Sequence, residues 1–223
     1  MNRAAIIIWN DIAPERREEF YDWHIHEHIP ERVDIPGFHS GRRYVAATST
    51  TKPEFLTIYE TDGAWVSLSA PYLERLNTPT PGTKSATAHF RNTSRALTEV
   101  VASAGEGLGG VMGTIRFDAT PQGWAALATV IAGDMASVVA FPRITSVRIC
   151  ATDASASDFK TSESRDRTDI QAPPIGAVLL EGCDVEAVKA AHDHLVRTCH
   201  LESARFTFGI YRLEHSRYSL IAN

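Results

Sequence analysis

The feature of this sequence that most constrains its fold is an internal repeat. The frame Asp11-x-x-Pro14 recurs as Asp118-x-x-Pro121. A second set, made of a proline, a serine and an arginine, also recurs with its spacing kept: Pro36, Ser40 and Arg42 in the first half and Pro142, Ser146 and Arg148 in the second. Matches that fall on corresponding elements indicate two copies of one structural unit.

Each half follows the same order of predicted elements. Short apolar runs between turn residues predict strands, at 4–12, 38–47, 54–61 and 86–92 in the first half and 111–117, 144–151, 175–180 and 204–213 in the second. Helical patterns predict helices from residue 14 to near 28, over 64–76, from 121, and over 185–201. The order β-α-β-β-α-β is that of the ferredoxin-like unit. We therefore predict an α+β chain of two tandem ferredoxin-like units.

The boundary between the units is predicted at the glycine-rich run 105–110, which separates a unit over 1–104 from a unit over 111–223. This run also contains the pattern Gly-x-Gly-x-x-Gly, but that dinucleotide fingerprint must open a helix. An apolar, strand-like run follows here, so we interpret 105–110 as a linker. The polar run 153–174 lies outside the repeat and is either a plain surface loop or a lid over a site.

Bulk properties exclude several classes of partner. The net charge is −5 and no basic run appears, which argues against nucleic-acid binding. No signal peptide or membrane span is evident in the sequence. The three cysteines, Cys150, Cys183 and Cys199, form no paired pattern, as is typical of a reducing compartment. We expect a cytoplasmic protein with no membrane partner.

The segment 20–32 carries the chemistry-bearing residues of the first half. At α-helical spacing, Phe20, His24, Glu27 and Glu31 share a face, with Tyr21 and His28 beside it and Trp23 nearby. Imidazole titrates near neutrality, and a neighbouring carboxylate fixes its tautomer. The pattern predicts a general acid–base site in which His28, His24 and Glu27 are catalytic.

A metal site is the alternative interpretation of the same segment. His24 and His28 have the i,i+4 spacing of helix-borne zinc ligands, but Glu27 stands at the wrong offset for His-Glu-x-x-His. We therefore predict no metal and no other cofactor. The matching offset in the second half holds Ile131, Asp134 and Met135. Apolar counterparts indicate that the histidines face an interior, either as site residues or as hydrogen-bonded core residues.

Further substrate-binding candidates lie on the predicted strands and on the same helix. Strand alternation places Arg43 on one face of the second strand and Tyr44 on the other. An arginine can bind a substrate carboxylate with two hydrogen bonds. Tyr59 and His89 fall on the third and fourth predicted strands, and Trp23 borders the histidines.

The string His28-Ile29-Pro30, followed by Ile35-Pro36-Gly37-Phe38, resembles the signature of EthD-like proteins in the dimeric α/β-barrel superfamily. The resemblance implies that the two units pair into one intramolecular barrel, with a small ligand bound between sheet and helices. It places the family histidine at His28. The second half lacks the signature, so one site per chain is expected, in a monomer or a homodimer.

The resemblance leaves three functions open. The first is a cofactor-free decarboxylase, cyclase or isomerase that acts on a small aromatic or carbonyl acid through histidine acid–base chemistry. The second is a non-catalytic protein that binds a small molecule in the same place. The third is a cofactor-free monooxygenase.

Overall fold

The computed structural model describes residues 3–158, 160–165 and 167–220. These described residues form nine strands, with helices between several of them. The strands are β1 (Ala4–Ile12), β2 (Phe38–Ala46), β3 (Phe55–Thr61), β4 (Phe90–Ala104), β5 (Val111–Phe117), β6 (Ile144–Thr152), β7 (Ile170–Gln171), β8 (Gly176–Gly182) and β9 (Phe206–Tyr218).

Six helices accompany the strands. Helix α1 has three consecutive parts, an α-helical Arg17–Trp23, a π-helical His24–His28 and an α-helical Ile29–Val33. The others are α2 (Ala70–Asn77), α3 (Pro81–Thr87), α4 (Pro121–Val139), α5 (Ala154–Ser157) and α6 (Val185–Thr198).

Eight of the strands close into an antiparallel barrel. The first half pairs in the order β4-β1-β3-β2, and the second pairs in the equivalent order β9-β5-β8-β6. Pairing of β2 with β9 and of β4 with β6 joins the halves at both seams. The predicted fold class is therefore confirmed. The division into units at 1–104 and 111–223 stays a prediction, because both halves share this one sheet.

Strand alternation gives the barrel two differently packed faces. One set of side chains fills the lumen, including Trp9, Tyr44, Met112 and Tyr211. The other set faces outward and is covered by helices, with α1 and α2 over the first half and α4 and α6 over the second. A residue's parity along its strand therefore decides whether it meets a helix or the lumen.

The repeated arginines meet inside the barrel at one end of the lumen. Arg42 donates to Glu60 and to Glu181 at 2.7 Å each, and Arg148 donates to Glu60 and, at 3.1 Å, to Glu181. Each arginine thus binds one carboxylate from its own half and one from the other half. The four charges compensate one another, so their burial does not leave an unpaired ion.

Three predicted elements differ from the structure. The strand predicted over 86–92 is present but lies later in the chain: Thr80 accepts a hydrogen bond from the Thr83 amide and caps α3, so β4 begins at Phe90 and runs to Ala104. The helix predicted over 64–76 is a 3₁₀ turn, Ala64–Leu68, followed by α2. Helix α1 continues past Pro30, where a wide π turn relieves the clash between a proline ring and the preceding turn.

The two segments outside the repeat are both anchored to the barrel. The linker run 105–110 leads into β5 and not into a helix, and the Gly109 amide donates to Glu181 at 3.1 Å. Within 153–174, α5 packs against β4 and β7 adds to β4 in parallel. The Glu163 amide donates to the Leu76 carbonyl at 3.1 Å, which fixes this segment beside α2.

Helix α4 corrects the expectation that no segment is long enough for a membrane span. An 18-residue window within its 19 residues has a mean hydropathy of 1.2, and the helix passes that test by length and composition. Its buried side chains, Trp124, Ile131, Met135 and Val138, pack on the sheet. Helices of soluble cores pass the same test, so the finding is weak support for a membrane segment.

Candidate functional site

The candidate site lies between α1 and the outward face of β2 and β3. His24 and His28 are buried, with exposures of 3% and 6%. Their rings are stacked, with centroids 5.5 Å apart and planes 20° from parallel. The Phe20 ring stacks on the His24 ring with centroids 4.9 Å apart, and the Trp23 and His28 ring centroids are 4.3 Å apart. The two imidazoles therefore sit in an aromatic enclosure.

The π-helical segment lets Arg32 face the sheet together with His24 and His28. The Ile29 amide donates to the His24 carbonyl, five residues back, so this turn holds one residue more than an α-helical turn. The buried face consequently moves from an i, i+4, i+7 pattern to Phe20, His24, His28 and Arg32. Such π-bulges occur frequently at functional sites.

The predicted common face of His24, Glu27 and Glu31 is wrong for the same reason. The Glu27 carboxylate accepts a hydrogen bond from the Thr80 hydroxyl and lies against Gly82, at the start of α3. Glu27 and Glu31 line an open cavity of about 630 Å³ on the outer side of α1. Among the described residues, no hydrogen bond joins Glu27 to either imidazole.

Two of the predicted strand residues do reach the histidines. Tyr59 lies edge-on to His28, with centroids 6.5 Å apart. Gly41, beside Tyr59 on β2, leaves room for this approach, because a Cβ there would lie 2.8 Å from the tyrosine ring. The Arg43 guanidinium lies 4.6 Å from the Tyr21 ring and 5.7 Å from the Phe20 ring, which places it beside His24.

Tyr44 and His89 lie away from the histidines. Tyr44 has the opposite strand parity and packs in the lumen, where the Arg42 guanidinium lies 5.8 Å from its ring. His89 lies in the turn between α3 and β4, where its carbonyl accepts from the Ala13 amide. Trp23, in contrast, borders His28 as predicted and donates to the Thr83 hydroxyl at 3.3 Å.

Four residues that the sequence analysis missed complete the surroundings of the site. Arg32 is buried and donates to Glu163 at 2.6 Å, and Arg43 donates to Glu214 at 3.2 Å. His215 pairs with Arg43 across β2 and β9. Of these four, only Arg32 has a sequence signal, because it continues the series Phe20, His24 and His28 at steps of four residues. The other three come from the 153–174 segment and from β9, which the sequence does not connect to α1.

Burial controls the protonation of the site. It lowers the pKa of His24 and of His28 well below the ordinary value. Positive neighbours, Arg43 for His24 and Arg32 for His28, lower these pKa values further. Burial also raises the pKa of Tyr59. At neutral pH the site therefore holds two neutral imidazoles, a neutral phenol and two guanidinium groups.

Several buried polar atoms of the site have no hydrogen-bond partner within the part of the chain that the structure describes. They are His24 Nδ1, His28 Nδ1, Arg32 Nη1, Arg43 Nη1 and Tyr59 OH. A buried unpaired donor or acceptor costs about 1–3 kcal/mol. Such a cluster is typical of a site that binds a polar molecule, because the molecule satisfies the atoms that the fold leaves unpaired.

The described residues hold no group of three or more His, Cys, Asp and Glu side chains arranged to bind a metal ion. The imidazole pair offers two nitrogen ligands, while the nearest acidic side chains, Glu163 and Glu214, are paired with Arg32 and Arg43.

Comparison with known proteins identifies the fold alone. No family model matches the sequence, and no curated protein is similar enough to match it. Among solved structures, an anthrone oxidase-like protein superposes with a TM-score of 0.68 at 11% identity, over 99% of this chain and 94% of the other.

Two further structures superpose along most of their length. A protein of Lactobacillus acidophilus, provisionally named a monooxygenase, has a TM-score of 0.57 at 10% identity, over 98% of this chain and 97% of its own. A similarly named protein of Fusobacterium nucleatum has a TM-score of 0.57 at 8% identity, over 97% of this chain and 94% of its own. The chain thus shares its α+β fold with these structures along most of its length.

Proposed function

We propose that this protein is a cofactor-free oxygenase that removes a proton from an acidic aromatic substrate and lets the resulting anion react with O₂. The observation that supports this proposal is the buried pair of neutral imidazoles beside two guanidinium groups and Tyr59. A neutral imidazole is a base at cellular pH, and fixed positive charge in a water-excluded site stabilises the anion that the base creates.

His28 is the proposed base, through its unpartnered Nδ1 atom. Arg43 and Arg32 each have a free Nη1 group and would donate to the substrate oxygen on which the negative charge develops. His24 stacks on His28 and shares its enclosure, so it is the second group able to carry a proton. Glu163 holds Arg32 and is itself bonded to α2 through the Leu76 carbonyl, so the 160–165 segment and α2 border the site beside Arg32.

For an anthrone-type substrate the reaction is balanced with O₂ as the only co-reactant. The base takes one proton from a ring methylene, and the carbanion gives electrons to O₂ and forms a C–O bond. Loss of the second methylene hydrogen and cleavage of the O–O bond leave a carbonyl and one water. The methylene carbon is oxidised by four electrons, and O₂ is reduced by four.

The structural neighbours support this choice over the other proton-transfer reactions. One is named as anthrone oxidase-like and two as monooxygenases. Decarboxylation, cyclisation and isomerisation would use the same base and the same guanidinium groups, but they would not consume O₂. A protein that only binds its ligand would need no base and would consume no O₂.

We further propose that the chain is an EthD-like member of its superfamily that arose by tandem duplication and works in the cytoplasm. The shared strand order of the halves and the equivalent placement of Arg42 and Arg148 support duplication. The position of His28, buried at the centre of the site, supports the EthD-like assignment.

Oxygen uptake in the presence of anthrones and naphthols tests the proposal. We expect uptake with wild-type protein in proportion to substrate oxidised, and loss of uptake in His28→Met. His26→Ala is the matched control, because His26 lies on the same helix but is exposed. Substrate consumption that persists without O₂ would favour the decarboxylase, cyclase or isomerase alternative. Binding without turnover would favour the binding protein.

A further inference from the structure

A second cavity opens at the end of the lumen opposite the Arg42–Arg148 cluster. It has a volume of about 820 Å³, and we call it the Arg116 cavity after the arginine in its wall. Arg116 and Ser94 point into the lumen from β5 and β4, and Thr152 does so from β6. The imidazole site lies on the other face of the sheet, so the two places share no side chain.

Arg116 is half-buried, and it differs from the buried Arg32, Arg42 and Arg43 because no carboxylate pairs with it in the described part of the chain. Its Nη2 donates to the Lys52 carbonyl at 2.9 Å, and its buried Nε has no partner. Its guanidinium lies 5.2 Å from the Trp9 ring. Burial lowers the pKa of Arg116, yet guanidinium stays charged in proteins. The cavity therefore carries one uncompensated positive charge.

The other groups of the wall define what fits beside that charge. The Thr152 hydroxyl is buried and has no hydrogen-bond partner. At the rim, Arg205 pairs with Asp118 at 3.1 Å, so these exposed charges cancel. The remaining wall combines apolar side chains, among them Phe206, Pro173, Pro174 and Ile175, with the polar side chains of Ser94, Gln171 and Thr207. A ligand with one negative charge and an apolar body matches this combination.

We propose that the Arg116 cavity binds a small organic monocarboxylate, with the carboxylate at Arg116 and Thr152 and the apolar part against Phe206 and the prolines. Carboxylate is the anion that guanidinium binds best through parallel hydrogen bonds. The ligand would supply the negative charge that Arg116 lacks at this end of the lumen. The position in β1 that corresponds to Arg116 in β5 is Trp9, so the first half provides no second charge there.

Calorimetric titration with sodium benzoate tests the proposal, with benzamide as the uncharged ligand of the same shape. We expect saturable benzoate binding to wild type and at least tenfold weaker binding to Arg116→Gln, since a charge-assisted hydrogen bond is lost. Arg143→Gln is the matched control and should bind as wild type does, because Arg143 is exposed, pairs with Asp184 and lies outside the cavity. Benzamide should bind all three proteins weakly.

Two further variants keep the test decisive. Thr152→Val removes a hydroxyl without removing charge and should weaken benzoate binding several-fold. This variant tests the same site if Arg116→Gln does not fold. His28→Met should bind benzoate as wild type does, because it alters only the other site. Equal binding by wild type and Arg116→Gln, or no saturable binding by wild type, would overturn the proposal. Loss of benzoate binding in His28→Met would place the ligand at the imidazoles instead.

Discussion

The two halves of the barrel use one topology, but they differ beneath their first helices. Under α1 the buried residues include two histidines, two arginines and a tyrosine; under α4 the corresponding residues are apolar. The pairs are His24 and Ile131, His28 and Met135, Arg32 and Val138, Arg43 and Ile149, and Tyr59 and Leu180. All five residues of the second half belong to one hydrophobic core.

This contrast indicates that the fold itself does not require the polar set. The second half builds the same strand order with apolar side chains, whose burial stabilises by about 1.5–3 kcal/mol each. The first half leaves several polar atoms unpaired at a cost of about 1–3 kcal/mol each. Groups that cost stability and are dispensable for folding are best explained by function.

The helices differ by one residue as well. Pro36 follows Asp11 by 25 positions, whereas Pro142 follows Asp118 by 24. The additional residue of the first half is accommodated in the π-helical His24–His28, while α4 is α-helical throughout. His28 follows His24 by four residues, as the buried Met135 follows Ile131, and the insertion brings Arg32 onto the sheet side of α1 in place of Glu31.

The largest effect that we expect comes from giving the first half a residue of the second. His28→Met removes the proposed base and introduces the side chain found at the equivalent place in α4. Turnover should fall about 10²- to 10⁴-fold, the usual contribution of a general base. The free energy of unfolding should not fall, because an unpaired polar group is replaced by an apolar one. Oxygen uptake and urea unfolding measure the two quantities.

A variant that loses activity and stability together would contradict this prediction. It would mean that His28 is a core histidine whose role is structural, and that the contrast between the halves carries no functional information. His26→Ala, on the exposed side of the same turn, should change neither quantity.

Inside the lumen the two halves are alike, because Arg42 and Arg148 bind the same two carboxylates. Arg42→Met and Arg148→Met each leave Glu60 and Glu181 with one arginine in place of two. We expect each variant to lose about 3 kcal/mol of unfolding free energy, because a buried carboxylate becomes undercompensated. Arg205→Met, at an exposed pair, should lose less than about 1 kcal/mol.

Unequal losses would break the analogy between the halves in the lumen. If Arg42→Met were much more destabilising than Arg148→Met, the first half alone would carry the interaction. Urea unfolding of the two variants at one pH provides the comparison.

The repeat explains why the fold could be predicted from the sequence. The recurring Asp-x-x-Pro frame and the Pro, Ser and Arg spacing mark the same turns and strands in each half, and both strand orders follow from the element pattern. The missed helix α3 has a local cause. Its capping residue Thr80 and first-turn residue Pro81 precede a short run of small and polar side chains that has no clear helical period.

The site was only partly predictable, for two physical reasons. A regular period of 3.6 residues assigns Glu31 to the inner face, and no sequence pattern announces the π turn that moves Arg32 there. The remaining members come from distant chain segments. Strand parity separates Arg43 from Tyr44 but does not say which of the two faces the site, and Glu163 and His215 reach the site only through the 153–174 segment and the β2–β9 seam.

Deletion of His26 would convert the spacing of the first half to that of the second. With one residue fewer, α1 should form a regular α-helix, and its inner face should return to the i, i+4, i+7 pattern. The imidazole at position 28 would then turn away from Tyr59, and turnover should fall about 100-fold, as expected for a displaced base. Circular dichroism and urea unfolding should show a folded barrel.

Full activity in the deletion variant would show that the π turn is not needed to position the base. A matched deletion in α4, at exposed Gly133, offers the control. It should disturb packing of the second half without affecting oxygen uptake through the imidazoles.

The smallest expected effect is a difference in pH dependence between the polar and the apolar interior. In the folded chain, burial holds the pKa of His24 and His28 well below the ordinary value, whereas in the unfolded chain they titrate near 6.5. Below about pH 6.5 the unfolded state therefore binds more protons than the folded state, and this contribution to stability is lost as the pH falls. Above that pH it is fully present. The slope approaches about 1.4 kcal/mol per pH unit for each imidazole.

The double variant His24→Ile, His28→Met, which copies the second half, should lack this part of the slope when urea unfolding is compared between pH 7.5 and 5.5. Equal slopes in the two proteins would mean that the pKa values of the imidazoles are the same in the folded and unfolded chains, and that burial does not hold the imidazoles neutral below pH 6.5.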